Sequence, residues 1–455
     1  MSIKPAARER VSYAGGPQGM LIPPILYLYK LRKQEWLHTE TLRKLQQRKL
    51  VAVVNHAYRN VRYYKSLFDS VGVKPDDIKT SEDLGKIPIT RREALQQLPI
   101  GDITASNADL TRCKKTLTSG SSGRPLMVYR TRKEDNFYDI GWARSFLDNG
   151  ERIWDRNADY HSYEHIPKRW FEHFGIWRRI IIPTLEDPKN KARMIERARP
   201  DIIRANPSEL VSLAMTVQRE KINGINPRLV FTMGSLLDEQ SRTFIESMLH
   251  TTVFDYYGST ELGCVAWECN MRSGYHINID TVVVEVINED GAVSNAREKG
   301  RLVCTGLISY TMPFIRYDTG DIGILADEVC PCGRGLPLIR GLEGRSDDFL
   351  VSADGRLLSP AVITYRMKMV PGLRQFRIVQ ESKTEVKAQL VLDENAQGGR
   401  SEIMRGILNS LMGDEIDVQV EVLSIIPQDP TGKIRALVSK VNKNNLHYGY
   451  DDSQR

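Results

Sequence analysis

The chain has 455 residues, 41% hydrophobic and 27% charged, which is too long for one ordinary core and excludes both a disordered and a membrane-embedded protein. Its formal charge of +7 comes from 64 basic and 57 acidic residues with no basic run, a solvated surface rather than a nucleic-acid arm. Six cysteines in such a length exclude a secreted disulfide framework and turn attention to their spacing.

In chain order, residues 1 to 20 mix Gly, Pro and charge without a period and are expected to be poorly ordered. They hold no apolar run ending in a small-residue cleavage site, so a cytoplasmic location is expected. The apolar stretch Met20 to Tyr29 contains a Pro pair and is about half as long as a bilayer needs, which argues against a membrane partner. From Glu35 to Phe68, Leu42, Leu45, Leu50, Val53, Val54 and Ala57 recur at helical spacing, with a break near Asn60.

Further on, strand-like Ile180 to Ile182, Ile202 to Ile203, Leu229 to Thr232 and Val253 to Tyr256 alternate with helix-like Lys189 to Arg199, Glu209 to Glu220 and Glu239 to Leu249. That alternation predicts an α/β layered core with parallel strands. From Thr281 the pattern becomes β-rich, with Val282 to Ile287, Arg301 to Thr305 and Gly323 to Ala326 between Gly and Asp turns. The last hundred or so residues read ββαβ: Phe376 to Gln380, Glu385 to Leu392, helical Ser401 to Met412 and Val418 to Ile425, a small α+β domain. The boundary is expected at Gly344 to Asp348, giving a large N-terminal domain over 1–346, with α/β sheets and a β-rich subdomain, and a small C-terminal domain over 347–455.

Thr116-Leu117-Thr118-Ser119-Gly120-Ser121-Ser122-Gly123-Arg124-Pro125 packs hydroxyls and glycines into one short span before a strand-like Leu126 to Tyr129. Glycines let backbone N–H groups turn toward a phosphate, and small hydroxyl side chains add donors without bulk. The Gly-Lys-Ser/Thr ending of a Walker loop is absent.

This loop resembles that of the adenylate-forming superfamily of acyl-CoA synthetases, peptide-synthetase adenylation domains and luciferases. Four further stretches match that family's motifs in its order: Asp255-Tyr256-Tyr257-Gly258-Ser259-Thr260-Glu261, Arg316-Tyr317-Asp318-Thr319-Gly320-Asp321, Gly344-Arg345-Ser346-Asp347-Asp348 and Pro430-Thr431-Gly432-Lys433. The segment Leu45 to Leu98 with Asn60-Val61-Arg62-Tyr63-Tyr64, together with Cys330-Pro331-Cys332-Gly333-Arg334, is similar to the phenylacetate-CoA ligase branch and its capsule-biosynthesis (CapK-like) relatives.

The resemblance implies an ATP-dependent acid ligase: a carboxylate attacks the α-phosphate of ATP, pyrophosphate leaves, and the acyl group passes from the acyl-adenylate to CoA, an amine or amino acid, or a carrier protein. It implies that Lys433, on a mobile C-terminal loop, supplies charge to the carboxylate and α-phosphate. Glu261 would hold Mg²⁺ and Thr260 would bond the α-phosphate. Thr118, Ser119, Gly120, Ser121, Ser122 and Gly123 would wrap the phosphates. Tyr257 would stack on adenine, with Asp255, Tyr256, Gly258, Ser259 and Gly234-Ser235 around the nucleotide, Asp321 on the ribose diol and Arg345 beside it. Asp347 would be the hinge about which the small domain rotates.

Cys269 and His276 flank Asn270 to Tyr275, and Cys330-x-Cys332 follows later. By spacing alone these are either buried thiols or a Cys₃His zinc shell, with Cys264 an alternative to Cys269. The resemblance favours structural Zn²⁺ on Cys269, His276, Cys330 and Cys332, and ordinary thiols at Cys113 and Cys304. The aromatic stretch Tyr160 to Trp177 borders the acyl pocket in the family, which implies a small aromatic or cyclic acid and makes His161 and Tyr163 pocket candidates. Leu126 and Met127 stand where many relatives carry a Lys after the loop's Pro, and Gly234-Ser235-Leu236 replaces Gly-Ala-Glu; both weaken transfer of phenylacetate as substrate and CoA as acceptor. Two other outcomes stay open: an enzyme releasing an AMP-modified small molecule, and a silent, zinc-stabilised binding protein.

Overall fold

The computed structural model describes residues 24–118, 126–161, 168–184, 186–288 and 290–345, then 349–355, 357–358, 363, 366–367, 370, 372–392, 399–426 and 435–441. The first 20 residues, expected to be poorly ordered, lie outside them. No helix among the described residues is long and apolar enough to cross a membrane.

A helical cap comes first: α1 (Pro24–Gln34), α2 (Thr39–Asn60) and α3 (Arg62–Ser70). In α2 the helical-period residues Leu42, Leu50, Val53, Val54 and Ala57 are all buried, and the helix stops where Val61 turns extended, at the expected break. Short α4 (Arg92–Gln97) and α5 (Ile100–Ile103) lead to the hairpin β1 (Lys114–Leu117) and β2 (Met127–Arg130). A capping box between Thr131 and Glu134 then starts α6 (Arg132–Asp148).

The α/β part contains β3 (Arg156–His161), β4 (Arg178–Pro183), α7 (Pro188–Ala198), β5 (Ile202–Ala205), α8 (Pro207–Glu220), β6 (Leu229–Met233), α9 (Glu239–Leu249) and β7 (Thr252–Ser259). Its five strands pair in parallel in the order β4-β3-β5-β6-β7. The inner strands β5, β6 and β7 are largely buried on both faces, which is why they read as apolar runs, whereas β4 lies at the sheet edge and is only partly buried. β3 escapes that pattern because Arg156, Asn157, Asp159 and His161 dilute it.

The following strands are β8 (Gly263–Glu268), β9 (Tyr275–Ile277), β10 (Val282–Ile287), β11 (Lys299–Gly306), β12 (Tyr317–Leu325) and β13 (Leu338–Arg345). They are antiparallel, and β8 pairs directly with β7, so the β-rich part continues the parallel strands as one 11-stranded sheet. The C-terminal part holds the hairpin β14 (Leu350–Val351) and β15 (Leu357–Leu358), then β16 (Leu373–Gln380), β17 (Glu385–Leu392), α10 (Arg400–Met412), β18 (Asp417–Val422) and β19 (Leu437–Ser439). Its four-stranded sheet, β18-β17-β16-β19, buries Ile378, Val386, Leu390, Met404 and Leu408 in a core of its own. In mixed α/β sheets ligands bind beyond the carboxyl ends of parallel strands, and here those ends face residues of the small C-terminal sheet.

Candidate active site

A cleft of about 1440 Å³ opens there, lined by Thr116 and Thr118 of the β1–β2 hairpin, by Gly234, Ser235 and Ser259 to Glu261 at the large sheet's end, and by Phe376, Val391 and Arg435 of the C-terminal part. Most of the motif residues converge on it, each placed by local structure. Of the stretch Thr116 to Pro125, read in the sequence as a phosphate loop, Ser119 to Pro125 lie outside the described residues, but Thr118 and Leu126 on either side do not. Thr118 N–H donates to Leu126 O at 3.0 Å and Leu126 N–H to Thr118 Oγ1 at 2.9 Å, which ties the loop's base at the cleft wall.

Along β7, side chains alternate between faces, so the two tyrosines part company. Tyr257 faces the cleft and its hydroxyl donates to Asp321 Oδ2 at 2.7 Å, with Thr319 Oγ1 at 3.2 Å. Burial and the charge of Asp321 push that phenol well above its ordinary range, so it stays a donor. Tyr256 instead enters the core, its ring 4.9 Å from Phe146 and its hydroxyl accepting from Asn149 Nδ2 at 2.8 Å. Asp255 is buried, with Tyr275 donating to Oδ2 at 2.8 Å and Thr232 to Oδ1 at 2.5 Å. Burial, then the charge of Glu268, pushes its carboxyl up to about 7.

Beyond Ser259 the chain turns sharply through Thr260 and Glu261 into β8. The Arg130 guanidinium lies 3.9 Å from the Tyr138 ring centre and bonds Thr260 O, which fixes that turn. Glu261 Oε1 accepts from Arg92 Nη2 at 2.8 Å and from Tyr317 at 2.8 Å. The turn is tight because Gly258 and Gly263 let Trp142 and Tyr138 pack onto the backbone. A Cβ on Gly263, at φ +72°, would sit 2.1 Å from Tyr138 Cδ1. Those two aromatics, four residues apart on α6, form an apolar wall of the cleft that the sequence analysis did not single out. Arg92 and Arg130 were missed as well, since an Arg in an ordinary polar stretch carries no local signal.

Asp321 and Arg345 stand opposite each other in the β12–β13 register. Asp347, Tyr163 and Lys433 lie outside the described residues; Arg435, two positions after that lysine, lines the cleft. His161 ends β3 with an exposed side chain and is not among the described residues lining the cleft.

At the edge of β8 and β9, the ligand atoms of Cys269, His276, Cys330 and Cys332 all lie within 4.8 Å of one another. Cys269 and Cys330 sulfurs are 3.7 Å apart and Cys332 Sγ is 3.3 Å from His276 Nε2. A tetrahedron with zinc–sulfur bonds of about 2.3 Å has edges of about 3.8 Å, so the set fits that ion. Burial, then the Arg334 charge, pushes His276 down to about 4, leaving the neutral imidazole a metal needs. Cys264 is elsewhere, 3.8 Å from Ser145 Oγ. Arg334 ties this loop to the cap: Nε donates to Glu35 Oε1 at 2.9 Å and the guanidinium covers Trp36 at 4.7 Å.

The phenylacetate-coenzyme A ligase of Pseudomonas putida is 30% identical to this chain over 332 residues, 70% of this chain and 74% of that protein. The chain belongs to the phenylacetate-CoA ligase branch of the adenylate-forming enzymes. It is therefore an acid ligase of the acyl-adenylate class. Residues 350–440 of this ligase match the family described as CapK C-terminal domain. Protein CapK of Staphylococcus aureus is 21% identical over 435 residues, 88% of this chain and 89% of that one. In fold, the ligase is similar to a crystal structure of 2-hydroxyisobutyryl-CoA ligase in the postadenylation state with 2-HIB-AMP, at a TM-score of 0.74 and 20% identity over 90% of this chain and 91% of that one.

Proposed function

We propose that this ligase activates a small planar or cyclic carboxylic acid with ATP and magnesium and passes the acyl group to coenzyme A. The observation that carries the reading is the Tyr257–Asp321 pair facing the same cleft as Glu261. A hydroxyl-bearing ring fixed to a carboxylate is a platform for a nucleoside: the ring for the base, the remaining acceptor capacity of Asp321 for the ribose hydroxyls. Thr118 and the loop after it, with Ser259 and Thr260, would hold the phosphates, Gly234-Ser235 would border the base, and the Asp255 carboxyl would set the pocket's inner wall. Tyr138 and Trp142 support an acid with a flat face, better placed for that role than His161.

Arg345, Asp347 and Lys433 take the roles the family resemblance gives them: ribose contact, hinge and charge at the reacting oxygens. The hinge at Asp347 divides the chain into residues 1–346 and 347–455, in keeping with the separate core of the small sheet. Glu261 offers a hard oxygen to Mg²⁺, which screens phosphate charge when bound. Zn²⁺ on Cys269, His276, Cys330 and Cys332 would be structural, since four protein ligands leave no open position. Coenzyme A is favoured over an amine or a carrier protein because relatives about 30% identical to this chain are named as CoA ligases.

Hydroxylamine trapping tests the reading. A panel of aryl, cyclic and short aliphatic acids with ATP and Mg²⁺ should give a hydroxamate from at least one flat acid, and added coenzyme A should divert it to a thioester. No hydroxamate from any acid contradicts adenylation. Diversion by amines alone contradicts the acceptor.

A further inference from the structure

Glu261 is held from outside its own motif. The segment before α4 runs beside the start of β12: Thr90 bridges Tyr317 in parallel, Thr90 N–H donates to Arg316 O at 2.8 Å, and Asp318 N–H donates to Thr90 O at 2.9 Å. Arg316 secures it from the other side, with Nη1 on Ile87 O and Nε 3.2 Å from Glu285 Oε1. Thus Arg316, read in the sequence as part of a nucleotide motif, serves to dock this segment. The docking delivers Arg92 into the cleft, where Nε donates to Tyr317 at 3.1 Å and Nη2 to Glu261 Oε1 at 2.8 Å.

Tyr317 also donates to Glu261 Oε1, at 2.8 Å. Both donors therefore take the same oxygen, and among the described residues none hydrogen-bonds Oε2. A carboxylate with one oxygen committed can offer a metal only the other. Mg²⁺ is small, demands octahedral geometry and accepts single oxygens, whereas Ca²⁺ gains from a carboxylate that gives both.

We infer that Arg92 and Tyr317 are positioning residues that make Glu261 a one-oxygen metal ligand and thereby set the site's preference for Mg²⁺ over Ca²⁺. The inference rests on Glu261 being the metal carboxylate, as proposed above. Groups that orient a metal's ligands typically change metal affinity by about 10–100-fold when removed.

The test is calorimetric binding of ATP to the full-length protein with Mg²⁺ or with Ca²⁺, for wild type, Arg92→Ala, Arg92→Lys, Tyr317→Phe and Glu261→Gln. Arg92→Ala should weaken Mg·ATP binding by about tenfold and Ca·ATP binding far less, so the Mg/Ca affinity ratio falls. Tyr317→Phe, which keeps the Arg92 pair and removes only a hydroxyl, should move the ratio the same way by a smaller factor. Arg92→Lys, a point charge without a fork, should fall between. If the alanine variant does not fold, the other two decide the matter. Equal losses for both ions, or an unchanged ratio, overturn the inference while a lost metal dependence in Glu261→Gln leaves the site assignment standing. Unchanged metal dependence in Glu261→Gln overturns both.

Discussion

Tyr257 and Asp321, 64 residues apart in sequence, meet in the cleft through a 2.7 Å hydrogen bond from the phenol to Oδ2. Each belongs to a different strand and a different motif, yet the bond makes the proposed base platform and the proposed ribose acceptor one unit. Removing the hydroxyl costs one net hydrogen bond, so Tyr257→Phe should raise the KM for ATP by about fivefold. Asp321→Asn also loses a charged acceptor and should raise it by at least about tenfold. The double variant should be little worse than Asp321→Asn alone, because the shared bond is lost once. Initial rates over an ATP series measure all three, and fully additive losses would show that the pair is not a unit.

Asp255 carries a pH signature. Its folded-state carboxyl, pushed up to about 7 by burial and then by Glu268, holds a proton that the unfolded chain releases at about 4. The folded chain is favoured by this group at acid pH, and that contribution is lost as pH rises from about 4 through about 7. Asp255→Asn removes the titration. Urea titrations at pH 5 and pH 8 should show the variant gaining stability relative to wild type at the higher pH. A constant difference across that window would contradict the shift.

The sulfur and imidazole cluster should hold one zinc ion per chain, with Cys332→Ser losing it. Structural zinc is bound together with the fold, so strong chelators should lower the melting temperature and metal analysis should track the loss. Since Arg334 links the cluster's loop to Glu35, proteolysis of the metal-depleted protein should begin earlier near the N-terminal helices. Unchanged melting after complete zinc removal would mean that these thiols do not stabilise the fold.

Gly263 offers a steric test of the proposed acid wall. A Cβ there meets Tyr138 Cδ1 at 2.1 Å and sits on a backbone at φ +72°, so Gly263→Ala must displace the ring or the turn. A loss of roughly 1–3 kcal/mol in stability is expected, together with a weakened KM for the acid and a smaller change for ATP. Equal changes in both KM values would place Tyr138 outside the acid's surroundings.

Much of this was legible in the sequence because it is local. Leu229 to Thr232 and Val253 to Tyr256 are apolar strand segments buried on both faces, and Glu239 to Leu249 is helix over the whole expected range. The Cys269, His276, Cys330 and Cys332 set also gathers as the resemblance implied. What escaped was relational. Nothing local distinguishes Tyr256 from Tyr257; both border the cleft, but Tyr256 bonds Asn149 in the core while Tyr257 bonds Asp321. Arg92 reaches Glu261, 169 residues away in sequence, only because a parallel bridge between Thr90 and Tyr317 carries it there. The union of the α/β and β-rich parts rests on the β7–β8 pairing, a turn hidden inside the Tyr-Gly-Ser-Thr-Glu motif.

The most direct measurement is acid-dependent exchange of labelled pyrophosphate into ATP by wild type and Lys433→Ala. With a flat carboxylic acid and Mg²⁺, wild type should exchange, and the variant should be slower by about 10²–10³-fold with its ATP affinity nearly unchanged. Exchange that needs no acid would contradict adenylation of a carboxylate by this cleft, and acid-dependent exchange at full rate without the lysine would contradict the role given to Lys433.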